Sequence, residues 1–86
     1  MKTKAELAKA FYDAFIPRDD YDLNSAFAEM IEECCQSFSD HLEDDGNLSE
    51  WDWSFEFVFD DGSVLIFQYT SPDEDGVTEC NCEVLK

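Results

Sequence analysis

The chain has 86 residues, enough for one domain (1–86) and close to the size at which a single core barely suffices. It holds 22 Asp and Glu against 5 Lys and Arg, a formal net charge of −17, and every basic residue lies near an end: Lys2, Lys4, Lys9, Arg18 and Lys86. Such a charge repels DNA, RNA and anionic membranes and so excludes them as direct partners, whereas the 8 Phe, 2 Trp and 3 Tyr supply the apolar area that a disordered acidic chain lacks.

The first element is a helix from about Thr3 to Ile16. Thr3 and Glu6 form a capping box, and Leu7, Phe11, Ala14 and Phe15 fall on one face, the expected core side. Pro17 ends it, and Arg18-Asp19-Asp20-Tyr21-Asp22 is a polar connector. A second helix is expected from about Ser25 to Leu42, capped by Asn24 or Ser25. At about 100° per residue, Phe27, Ile31, Cys34 and Phe38 cluster on its core side. Glu29, Glu32, Glu33, Gln36, Asp40 and Glu43 then form an almost purely acidic opposite side, with no Lys or Arg between them.

Residues 43–47 form an acidic loop. Trp51, Trp53, Phe55, Phe57 and Phe59 then alternate with Asp52, Ser54, Glu56, Val58 and Asp60, which marks a strand with one aromatic face. Asp60-Asp61-Gly62 is a turn and Ser63 to Tyr69 the return strand. A three-residue loop with Gly62 in the left-handed region pairs Phe57 with Leu65, Phe55 with Phe67 and Trp53 with Tyr69. A two-residue loop would instead bury Gln68, so the longer loop is preferred. Thr70 to Gly76 contains a second acidic turn, and Val77 to Leu85 is a third strand with Cys80, Cys82 and Val84 facing the core. The expected fold is α+β: two N-terminal helices packed on one face of a three-stranded antiparallel β-meander. Val58, Val64 and Ile66 would lie on the open face, ringed by Asp52, Glu56, Glu79 and Glu83.

Catalytic and metal motifs are weak. Cys34-Cys35, Cys80-x-Cys82 and the single His41 do not have zinc-site spacing, since adjacent helical cysteines diverge by about 100°. His41 is seven residues from Cys34, about 10 Å along a helix and beyond proton-transfer reach. Phosphate-binding, dinucleotide and nucleophile-elbow signatures are missing, and neither Asp44-Asp45-Gly46-Asn47 nor Asp73-Glu74-Asp75-Gly76 matches a calcium loop. The expectation is a protein without catalytic residues, metal or cofactor. No secretion signal or run of ~20 apolar residues occurs, so the expected location is the cytosol, with the cysteines as reduced core thiols. An exported chain would allow a Cys34–Cys80 or Cys34–Cys82 disulfide.

The acidic array is the informative feature. Alternate strand residues lie about 6.6–6.8 Å apart and i,i+4 helix residues about 6 Å apart, close to the spacing of successive phosphates on a nucleic-acid strand. A basic groove that tracks phosphates would accept such a surface, with Val58, Val64 and Ile66, or Trp51 and Tyr21, as apolar anchors. The candidate contacts are Glu29, Glu32, Glu33, Asp40 and Glu43 of the second helix and its end. On the sheet and its turns they are Asp52, Glu56, Asp60, Asp61, Asp73, Glu74 and Asp75.

In size, acidity and helix-plus-hairpin build the chain resembles the small phage-encoded, DNA-mimicking anti-CRISPR inhibitors. The stretch Phe59-Asp60-Asp61-Gly62-Ser63-Val64-Leu65-Ile66 is similar to an acidic hairpin in an inhibitor of the type I surveillance complex. The resemblance implies evasion of host defence in the bacterial cytosol, by a monomer or weak dimer. It would occupy the basic DNA-binding surface of a CRISPR effector complex, such as the site that reads the protospacer-adjacent motif. The alternative from charge alone is an antitoxin or immunity protein that neutralises a basic toxin or nuclease.

Overall fold

A computed structural model describes residues 1–35, 37–41 and 51–85, with 37–41 given as a strand. The order is α1 (Lys4–Phe15), α2 (Tyr21–Cys34), β1 (Ser37–His41), β2 (Trp53–Val58), β3 (Val64–Tyr69) and β4 (Cys80–Val84). The two helices precede an antiparallel sheet, the α+β arrangement expected, and the sheet is a meander in the order β1-β2-β3-β4. The three expected strands are β2, β3 and β4. The additional strand, β1, takes residues that the helical period had assigned to the second helix.

That helix is therefore both earlier and shorter than expected. It starts at Tyr21, with the Asp20 carboxylate as N-cap accepting from Leu23 N–H at 3.0 Å, rather than at Asn24 or Ser25. It stops at Cys34, and its last turn carries no basic residue. Glu29, Glu32 and Glu33 lie at i,i+3 and i,i+4 spacing, like-charge contacts that weaken the helix. Strand pairing offers the next residues a better use: Ser37–His41 lies antiparallel to β2, with Phe38 opposite Phe57 and Asp40 opposite Phe55. Phe38 and His41 thus lie on a strand and not on the helix face expected. Gln36, Leu42, Glu43 and the 43–47 loop lie outside the described residues.

Helix α1 has the expected capping box, with Thr3 and Glu6 bonded reciprocally. Its buried face is not the expected one. Ala5 and Tyr12 are buried and Ala8 and Ile16 pack against the core, while Leu7, Phe11 and Phe15 remain exposed. The helix carries two apolar arcs, and the arc with small alanines wins because it lets the backbone approach β3 and β4 closely enough for Tyr12 to reach the core. Tyr12, Phe27 and Phe67 meet edge to face at 4.9, 5.3 and 5.1 Å, joining α1, α2 and β3. Ring pairs of this kind contribute about 0.5–1.5 kcal/mol each beyond area burial.

The hairpin register is as expected: Phe57 pairs with Leu65, Phe55 with Phe67 and Trp53 with Tyr69. Gly62 has φ +85, which a left-handed loop position requires, and its N–H donates to the Phe59 carbonyl at 3.0 Å. Cys80 and Cys82 of β4 pair with Tyr69 and Phe67, on the aromatic side. The open face carries a polar ladder across three strands: Asn81 donates to Gln68 at 3.0 Å and Gln68 to Ser54 at 3.1 Å. On that face Ile66 lies between Glu56 and Glu83, Val58 and Ile66 are half-buried, and Val64 is buried.

Candidate functional site

The start of α2 is fixed by one buried amide. Asn24 is fully buried. Its carbonyl oxygen accepts from the Tyr12 hydroxyl, and its NH2 donates to the Arg18 carbonyl at 3.0 Å and the Asp20 carbonyl at 2.7 Å. The Tyr12 proton goes to Asn24, so the Cys80 thiol beside it acts as donor to the Tyr12 oxygen. Burial, together with this thiol contact, raises the Tyr12 hydroxyl far above the ordinary tyrosine range. Asn24 thus clamps the 18–20 turn to the core. That turn also pairs with the segment leading into β4: Asp20 bridges to Val77, and Thr78 N–H donates to the Asp19 carbonyl at 3.4 Å.

The result is an open groove of about 500 Å³ lined by Pro17, Asp19, Asp20, Tyr21, Asp22, Pro72, Gly76 and Val77. Its lining mixes the carboxylates of Asp19, Asp20 and Asp22 with the apolar surface of Pro17, Tyr21, Pro72 and Val77. The neighbouring turn holds Asp73, Glu74 and Asp75, all exposed, and is tied by the Asp73 carboxylate accepting from Asp75 and Val77 N–H at 2.9 Å. Tyr21 is packed edge to face on Tyr69 at 5.7 Å, so its ring is part of the groove wall and not a free anchor. From the groove the acidity continues along α2. Asp22, Glu29 and Glu33 lie within about 40° of one another around the helix, and Asp22 to Glu33 spans about 16 Å. These three and Glu32 are exposed, and none has an ion-pair partner among the described residues.

The expected contacts do not form one face. Glu29, Glu32 and Glu33 lie on α2, and Asp73, Glu74 and Asp75 lie in the turn beside its start. Asp60 and Asp61 lie at the other end of β3, a strand of about 20 Å. There they hold α1. Lys4 pairs with Asp60, Lys4 N–H donates to Asp61 at 2.9 Å, and Ala5 N–H donates to Ser63 Oγ at 3.1 Å. These bonds satisfy first-turn donors that a helix leaves open. The Asp61 carboxyl is lowered to about 2, chiefly by the Ser63 hydroxyl, then by the Lys4 and Ser63 N–H groups. Asp52 accepts from Ser71 N–H at 2.7 Å, joining the start of β2 to the segment after β3. Glu56 is half-buried on the open sheet face, Asp40 is in β1, and Glu43 lies outside the described residues. Asp19, Asp20 and Asp22 belong to the site, although in the sequence they fall within a polar connector. Their run was visible, but its contact with Val77 is tertiary and has no local signature.

Positive charge is segregated. Lys9 pairs with Asp13 at 2.5 Å, Arg18 pairs with Asp13 at 3.3 Å, and Lys2 and Lys9 line a second shallow groove beside Val84. Among the described residues no three His, Cys, Asp or Glu side chains are grouped to hold a metal ion. Cys34 is exposed. Burial raises the Cys82 thiol to about 12 and the Cys35 thiol to about 11, away from the nucleophilic thiolate. No protein-family model, curated protein or solved structure matches this chain. Among the described residues no helix is long and apolar enough to cross a membrane.

Proposed function

We propose that this protein is a non-catalytic competitor of nucleic acid. It docks through the α2 carboxylates and the adjoining groove onto the basic DNA- or RNA-binding surface of another protein and blocks it. Its target would be a CRISPR effector complex in the bacterial cytosol, in the manner of the DNA-mimicking anti-CRISPR inhibitors that it resembles. The observation that carries this reading is the exposed line Asp22, Glu29, Glu33, continuous with the groove and with no cation interleaved from Asp19 to Leu85. Carboxylates held without neutralisation raise the self-repulsion of a small domain far above what solubility needs. A basic partner relieves that repulsion and releases counterions, as a phosphate backbone would.

The test is capture from nuclease-treated bacterial lysate with the tagged protein, followed by a salt gradient. A stoichiometric nucleic-acid-binding complex that elutes with salt and is displaced by its own DNA supports the reading. A single small basic toxin would replace it with the immunity role. A non-stoichiometric smear of basic proteins would refute charge as the recognition code.

A further inference from the structure

The face of α1 that was expected to be core is instead on the surface. Leu7 is 55% exposed, Phe11 41% and Phe15 70%; across from them on α2, Leu23 and Met30 are each 38% exposed. These residues form one patch. Phe11 lies 5.2 Å from Phe15 and stacks at 6.5 Å on Phe27, whose α2 neighbours one turn away on either side are Leu23 and Met30. Exposed apolar area gathered in this way, on a chain that is otherwise strongly charged, marks an interaction surface.

The α2 side of the rim identifies the occupant, because Lys4, one turn before Leu7 on α1, is paired with Asp60. Asp22, Glu29 and Glu33 stand about 60–100° around α2 from Met30, so the patch borders the acidic line on its α2 side. A second copy placed on this patch would set two bodies of net charge −17 against each other with their acidic rims close together. Anionic lipid and nucleic acid are repelled for the same reason. We propose that the Leu7/Phe11/Phe15/Leu23/Met30 patch receives a cationic amphipathic segment of the partner protein. Its apolar side chains cover the patch and its Lys or Arg side chains meet the α2 carboxylates. The proposal rests on the reading of a basic partner and deepens it. The carboxylates supply steering and salt dependence, and the apolar patch supplies the anchor that charge alone lacks. It moves that anchor from the Val58/Val64/Ile66 stripe, which is buried or half-buried, to the helices.

Two fluorescent peptides of equal charge test it: an amphipathic helix of Leu and Lys, and an oligolysine. Anisotropy titrations with the wild-type protein should show at least about 10-fold tighter binding of the amphipathic peptide. The double substitution Leu7→Ser/Phe15→Ser, at the two most exposed positions, should abolish that excess and leave oligolysine binding and the unfolding midpoint unchanged. Met30→Ser alone should reduce it. Equal affinity of the two peptides, or an excess that survives Leu7→Ser/Phe15→Ser, would overturn the proposal while leaving the acidic reading standing. Failure of both peptides to bind at low salt would overturn the acidic reading itself. A dimer in sedimentation velocity that Leu7→Ser/Phe15→Ser dissociates would assign the patch to a second copy and overturn the partner proposal.

Discussion

Replacing Asn24 by Ala should be among the most destabilising single changes in the protein, because this amide joins three elements from a fully buried position. Three hydrogen bonds disappear: one accepted from Tyr12 and those donated to the Arg18 and Asp20 carbonyls. The Asp20 carbonyl retains the Asn24 backbone N–H at 3.0 Å, and Tyr12 retains Cys80, so the Arg18 carbonyl suffers most. Counting about 1 kcal/mol net for each of the three bonds, plus about 1–3 kcal/mol for a buried group left open, gives about 4–6 kcal/mol. An 86-residue domain has about 4–13 kcal/mol in total, so the variant should be marginal and melt at least roughly 16 °C lower. Tyr12→Phe removes only the hydroxyl and should cost about 1–2 kcal/mol. Urea unfolding followed by tryptophan fluorescence measures both. If Asn24→Ala costs less than Tyr12→Phe, the amide is not the clamp of the 18–20 turn, and the groove beside it must be held another way.

Three further outcomes follow from particular contacts. The Asp61 carboxyl is lowered to about 2 in the folded chain, below its unfolded value of ~3.9, so its stabilisation is present above pH 4 and lost as pH falls toward 2. The stability difference between wild type and Asp61→Asn should therefore shrink over that window, and a difference constant with pH would contradict the Asp61–Ser63–Lys4 contacts. Gly62→Ala meets no atom within 4 Å but forces a Cβ into φ +85, so it should cost about 1–2 kcal/mol in thermal unfolding through backbone strain alone. Cys34 is exposed whereas burial raises the thiol of Cys82 to about 12; Cys34 should react with a disulfide reagent in the native state and Cys82 only after denaturant is added.

The hairpin was legible because its information is local. Period-two aromatics define the face, and Gly62 with Gln68 decides the register, so Phe55–Phe67 and Phe57–Leu65 pair as the sequence implies. The α1 capping box is local too. What sequence periodicity could not decide was competition. In α1, two apolar arcs fit the helical period, and the larger side chains indicated the wrong one; the close approach allowed by Ala5 and Ala8, and the partners available to Tyr12, settle the choice. In residues 37–41, a short run fits a helix or a strand, and pairing with β2 decides it. For the site, the acidity of α2 was visible from composition. The joining of Asp19–Asp22 to the β3–β4 turn, and the use of Asp60 and Asp61 by α1, depend on contacts between residues far apart in the chain.

In the proposed function the α2 carboxylates bind a nucleic-acid-binding surface. Glu29→Lys/Glu32→Lys/Glu33→Lys tests it most directly, because these exposed positions near the helix C-terminus favour positive charge and the fold should be kept or slightly stabilised. The measurement is capture of the basic partner by wild type and by this variant, side by side, with circular dichroism to verify the fold. The expected result is an intact fold, loss of the partner from the variant, and displacement of the wild-type protein by the partner's own nucleic acid. Undiminished capture by the folded variant would contradict it.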